Sequence, residues 1–195
     1  MDKKHLYIVL TRTNTVLSRM IGLIKNDEYT HAAISLDKGL CQMYSFGRKN
    51  VYNPFVGRFV KEDINSGVYG LCKNLQGLVL EVEISKEEYE KAESLLYEFI
   101  INRNSYKYNY FGLLNSLLNK EACYNDRFLC SEFVYYILNK SGISDLGIPR
   151  NLVRPQDLLN LNSKVVYKGN LKNVKWSRKI ENTIKKDPNY QWVEI

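Results

Sequence analysis

The sequence predicts an α+β fold, with an antiparallel sheet of about five strands packed against helices. Two observations carry this. Short apolar or alternating runs bounded by turn residues dominate residues 5–84, and helical periodicity dominates residues 85–161. Strands therefore come first and helices after. The 195-residue length suits one domain with a sizeable core. No repeat, low-complexity segment or linker divides the chain, so residues 1–195 read as a single domain with a basic C-terminal extension from about 164 to 195.

Taken in order, HLYIVLTR (5–12) predicts a buried first strand, and NTVLSRMIGLIK places Val16, Leu17, Met20, Ile21 and Ile24 at helical spacing. YTHAAISLD (29–37), a Lys-Gly turn and LCQMYSFGR (40–48) predict a hairpin. KNVYNPFVGRFVKEDINSG holds Asn, Pro and Gly and reads as a long loop, followed by two strands, GVYGLCKN and GLVLEVEIS. Ser85 and Glu88 form a capping-box pattern ahead of a helix bearing Tyr89, Ala92, Leu95, Leu96 and Phe99. YNYFGLLNSLLN predicts a second helix. A third runs from Leu129 or Cys130 to Lys140 and stops at Ser141-Gly142. Pro155 opens a short helix in RPQDLLNL, and KVVYKG predicts a last strand.

Net charge is +7, which favours an anionic contact such as a lipid headgroup, an acidic substrate or nucleic acid. The excess gathers in the tail, at Lys164, Lys168, Lys172, Lys175, Arg178, Lys179, Lys185 and Lys186, a pattern that also suits a solvated surface. Basic residues interleaved with Tyr167 and Trp176 fit nucleic acid only loosely, and no nucleic-acid motif accompanies them. The N-terminus lacks a signal-peptide apolar region, and no run is long enough to span a membrane, so the expectation is a cytoplasmic protein. Cys41, Cys72, Cys123 and Cys130 are then expected to stay reduced. None forms CxxC, and only His5 and His31 accompany them, so neither a metal site nor a cofactor is expected.

Two residues have the chemistry for nucleophilic catalysis. Cys130 stands where an apolar helix begins, and His31 stands on the first hairpin strand. A helix N-terminus supplies unpaired N–H groups and the positive end of the dipole, which favour a thiolate and can receive an oxyanion. A histidine within reach supplies the base, and a third polar group holds its tautomer. Periodicity alone also allows Cys130 to be core, since it shares a stripe with Phe133, Val134, Ile137 and Leu138. Likewise, His31 alone on a strand is compatible with a purely structural role.

Thr30-His31-Ala32-Ala33-Ile34 followed, far downstream, by Cys130-Ser131-Glu132-Phe133-Val134 resembles the circularly permuted members of the NlpC/P60 papain-like superfamily. The nearest group is the permuted amidases of the YaeF/YiiX type, relatives of lecithin retinol acyltransferase. In that group the histidine strand precedes the cysteine helix. The resemblance spans about residues 5–165, including the RPQDL segment. It implies a papain-like fold with Cys130 as nucleophile and His31 as base.

The family usually carries a third polar residue, often Glu, on the strand after the histidine strand. Here that register falls on Ser45, the candidate orienting residue, with Gln42 as a second choice on the opposite strand face. Serine accepts a hydrogen bond from imidazole but brings no charge to an imidazolium. Glu132, in the first helical turn, reads as a structural cap. Tyr29 shares the face of His31 and is a candidate substrate-binding residue.

The implied function is a cysteine hydrolase or acyltransferase that cleaves an amide or ester in a small-molecule, peptide or lipid substrate. The alternative is a non-catalytic binding module on the same fold, gripping an anionic partner through the basic tail. The loop 48–66 and the segment YKYNYFG (106–112) are the expected cleft walls.

Overall fold

The computed structural model of the chain describes residues 3–12, 27–50 and 53–174. The helix expected over 14–25 and the basic residues beyond 174 lie outside them. The chain is an α+β protein. Its six-stranded antiparallel sheet is formed by β1 (Lys4–Thr11), β2 (His31–Ser35), β3 (Met43–Asn50), β4 (Asn53–Glu62), β5 (Gln76–Ile84) and β8 (Lys164–Asn170), in the order β4-β3-β2-β1-β5-β8. β1, β5 and the β2–β3 hairpin follow the apolar patterns of their sequences.

Two expectations fail instructively. Residues 53–62, expected as loop, form edge strand β4, paired from Met43↔Glu62 to Asn50↔Asn53. Pro54 is tolerated because an edge strand has one side with no ladder to complete. Gly57 serves close packing, since a Cβ there would lie 2.6 Å from Tyr108 Cβ. Conversely, GVYGLCKN forms not a strand but a single helical turn, α1 (Gly67–Gly70). Gly67 has φ of +55°, which turns the chain away from an extended path, and Gly70 N–H donates to the Ser66 carbonyl at 2.8 Å. KVVYKG, at the start of the expected extension, is strand β8 of the sheet itself.

Alternation along the strands creates two apolar faces. Leu6, Ile8, Leu10, Ala32 and Ile34 face a large core closed by α2 (Lys86–Ile101) and α4 (Cys130–Lys140). Phe46, Phe99, Phe128 and Phe133 meet there with ring centroids between 5.0 and 6.0 Å apart. Each such ring contributes roughly 1.5–3 kcal/mol by burial. Tyr7, Val9, Ala33 and Met43 face a smaller core with Tyr69, Leu75 and Val79. His31 has the alternation of Ala33, and Ser45 that of Met43, so both fall on the smaller-core face.

The helix starts are locally encoded. Ser85 Oγ accepts from Glu88 N–H at 3.1 Å, and the Glu88 carboxylate accepts from Ser85 N–H at 2.8 Å. Two short parallel strands, β6 (Lys107–Tyr108) and β7 (Arg127–Phe128), lead into α3 (Tyr110–Leu117) and α4 respectively. Their pairing sets the two helix N-termini side by side. Pro155 opens a 3-10 turn over Pro155–Asn160.

Candidate active site

Cys130 is the first residue of α4. Leu129 precedes it in extended conformation, and the first helical bond runs from Phe133 N–H to the Leu129 carbonyl at 2.9 Å. The N–H groups of Cys130, Ser131 and Glu132 therefore have no acceptor within the helix. Leucine has no side-chain oxygen to cap this end, so Glu132 does the work. Its Oε2 accepts from Leu129 N–H at 3.0 Å and from Asn109 Nδ2 at 3.1 Å, and its Oε1 accepts from Arg150 Nε at 3.0 Å. Glu132 is fully buried, and burial raises its carboxyl pKa despite these partners. Ser131 Oγ donates to the Val153 carbonyl at 2.6 Å and ties the same turn to the chain before Arg154.

His31 opens β2, directly opposite Thr11 of β1. The segment leading into it is clamped by RPQD. Arg154 pairs with Asp27 at 3.0 Å and with Asp157 at 2.9 Å, and Gln156 Oε1 accepts from the N–H groups of Glu28 and Tyr29 at 3.2 and 3.4 Å. The His31 ring lies between two partners. Its Nε2 is 2.9 Å from Glu62 Oε1, and the Cys130 thiol stands close enough on the other side to raise the ring's pKa. With Nε2 committed to Glu62, Nδ1 is the nitrogen available to sulfur.

Glu62 is the last residue of β4, and the β3–β4 register brings it beside Met43. Ser45 Oγ donates to the same Oε1 at 2.5 Å. Oε2 is buried and without a hydrogen-bond partner; the Tyr69 hydroxyl stands close enough to lower the Glu62 pKa but is itself bonded to Thr11 Oγ1 at 3.3 Å. The Tyr69 ring also packs edge-on against His31, with centroids 6.1 Å apart.

These contacts shift the titration of all three groups. Burial pushes the His31 pKa down, but the Glu62 carboxylate, then Cys130, overcome it and raise it well above the usual histidine value. Burial pushes the Cys130 thiol up, yet His31 and the backbone N–H groups of Ala32 and Ser131 bring it below the ordinary thiol range. Glu62 is lowered in turn, because His31 outweighs the cost of its own burial. All three shifts favour the charged form of each group, the direction that a thiolate–imidazolium pair backed by a carboxylate needs.

Cys130 and His31, separated by about half the chain, thus meet. Ser45 bonds the carboxylate that holds His31 and stands one residue removed from the ring. Gln42 lies in the β2–β3 turn, where its N–H donates to Asp37 Oδ2 at 2.6 Å. Tyr29 is buried among the residues of the larger core. Its hydroxyl donates to Glu28 at 3.1 Å, and it lines a cavity of about 160 Å³ with Arg12, Gln76 and Lys168.

Glu62 and Tyr108 lie in the two segments expected as cleft walls, 48–66 and 106–112, but neither they nor Tyr69 was singled out as a site residue. The signal for Glu62 was the two-residue alternation Val56-Arg58-Val60-Glu62, obscured by Pro54 and Gly57. Tyr108 lies against Gly57 on one side and close to the Cys130 charge on the other. Burial, then Cys130, raises its pKa well above 10.0, so it remains a hydroxyl donor.

Fold and site together define an α+β domain with a buried Cys-His-Glu constellation at a helix N-terminus. No protein-family model matches the chain, and neither a curated protein nor a solved structure matches it.

Proposed function

We propose that the protein is a cysteine hydrolase or acyltransferase acting on an amide or ester, on a permuted papain-like scaffold of the NlpC/P60 type. The observation that carries this is His31 bound to the Glu62 carboxylate at 2.9 Å and set beside a cysteine that opens a helix. Cys130 Sγ attacks the carbonyl carbon, forming a C–S bond while the C=O pair moves onto oxygen. The Cys130 N–H, which has no acceptor within the helix, and the Tyr108 hydroxyl are the donors offered to that oxyanion. His31 delivers its proton to the leaving nitrogen or oxygen as the C–N or C–O bond breaks. Water or an acceptor alcohol or amine, deprotonated by His31, then releases the acyl group and restores the thiolate.

The alternative, a non-catalytic module gripping an anionic partner through the basic tail, gains from a missing acidic orienting residue, and the Glu62 carboxylate beside His31 weighs against it. The test is reaction with a p-nitrophenyl ester followed by intact-mass and peptide analysis. The proposal expects a stoichiometric burst and an acyl adduct on Cys130, abolished in Cys130→Ala and strongly slowed in His31→Ala. A chain that forms no adduct, with Cys130 alkylating no faster than in the denatured protein, is not such an enzyme.

A further inference from the structure

The helix beside the site carries an apolar stripe that the site does not use. In α3 and its cap, Phe111, Leu114 and Leu118 are 65%, 59% and 60% exposed. Their spacing of three and four residues sets them in one line along the helix. The helix is not free to roll this face inward. Asn109 at its N-cap accepts from Gly112 N–H at 2.8 Å and donates to buried Glu132 at 3.1 Å, locking α3 to the start of α4.

The charges around the stripe are mainly positive. Exposed Lys107 stands at the N-terminal end of α3. Lys120 stands just past its C-terminal end, and Glu121 is the single acid between residues 107 and 124. Neither lysine forms an ion pair among the described residues. The stripe exposes on the order of 300 Å² of apolar surface, well short of the roughly 800 Å² per partner of a stable protein interface. Aromatic and leucine side chains in one line, flanked by cations on a chain of net charge +7, have the complementarity of an anionic lipid interface.

We propose that α3 docks this protein on an anionic lipid surface, with Phe111, Leu114 and Leu118 entering the acyl boundary and Lys107 and Lys120 meeting the headgroups. This membrane contact is independent of the acyl-transfer reading and survives its failure.

The test is co-sedimentation of the full chain with phosphatidylcholine vesicles, with and without phosphatidylserine. Wild type and Cys130→Ala bind equally and prefer the phosphatidylserine vesicles. The triple variant Phe111→Ser, Leu114→Ser, Leu118→Ser retains its melting temperature and loses at least about tenfold in partitioning. Lys107→Glu with Lys120→Glu weakens binding and flattens its salt dependence. Wild-type binding by the triple variant overturns the proposal, because the basic tail then suffices. So does equal or absent binding to both vesicle types, or a stripe substitution that changes only the oligomeric state and thereby reveals a protein contact.

Discussion

Replacing Glu62 with glutamine keeps the side chain's shape and an acceptor oxygen but removes the charge. Glu62 Oε1 lies 2.9 Å from His31 Nε2, and the two side chains are only 12% and 15% exposed, so solvent screens the pair weakly. A hydrogen bond to a charged group is worth about 1.5–3 kcal/mol. That increment acts on the imidazolium and not on neutral imidazole. Its loss shifts the balance from thiolate–imidazolium toward thiol–imidazole by roughly 10- to 150-fold. The assay is the pH dependence of iodoacetamide alkylation, resolved by peptide so that exposed Cys123 serves as an internal reference. In wild type, the His31 pair extends Cys130 reactivity to pH values below the ordinary thiol range. In Glu62→Gln the acidic limb moves up toward that range, and the neutral-pH rate falls at least about tenfold, while Cys123 is unchanged. Superimposable Cys130 profiles for the two proteins refute the reasoning.

Ser45→Ala removes a 2.5 Å bond to Glu62 but leaves the carboxylate on His31, so the same profile shifts less than in Glu62→Gln; an equal shift makes Ser45 the direct orienting residue. Glu132→Ala strips Leu129 N–H, Asn109 and the 17%-exposed Arg150 of their shared partner and costs about 3–5 kcal/mol in urea unfolding, with Glu132→Gln milder. A loss below about 1 kcal/mol contradicts that role. Gly57→Ala drives a methyl into the base of the Tyr108 side chain at 2.6 Å and costs about 1–3 kcal/mol by the same measurement; an unchanged midpoint means that β4 and β6 are not packed this closely.

The parts written in local patterns were legible. β1 follows its apolar run, α2 begins at the Ser85–Glu88 box, and α4 begins at Cys130 with Glu132 as its cap. The pairing of Cys130 with His31 was foreseen from motif order, because periodicity is equally satisfied by a buried cysteine. Glu62 was hidden for two physical reasons. Pro54 and Gly57 signal a loop, yet an edge strand tolerates the first and the Tyr108 contact requires the second. The register of β3 against β4 then brings Glu62 beside Ser45's strand, a long-range pairing that no local pattern encodes. Tyr29 shows the limit of strand alternation. It precedes β2, and outside the ladder the two-residue rule does not govern where a side chain points.

The central claim is that His31 is an imidazolium held between Glu62 and the Cys130 thiolate. Its most direct test is a ¹⁵N NMR titration of the His31 ring in the wild-type protein and in Cys130→Ala. Because the His31 pKa is raised, the imidazolium and the stability it contributes persist below the usual histidine value of about 6.5 and are lost only as pH rises through the higher folded value. The account predicts both ring nitrogens protonated well above pH 6.5, with the transition moving down when Cys130 is removed. A neutral His31 ring at pH 7, titrating identically in both proteins, contradicts it.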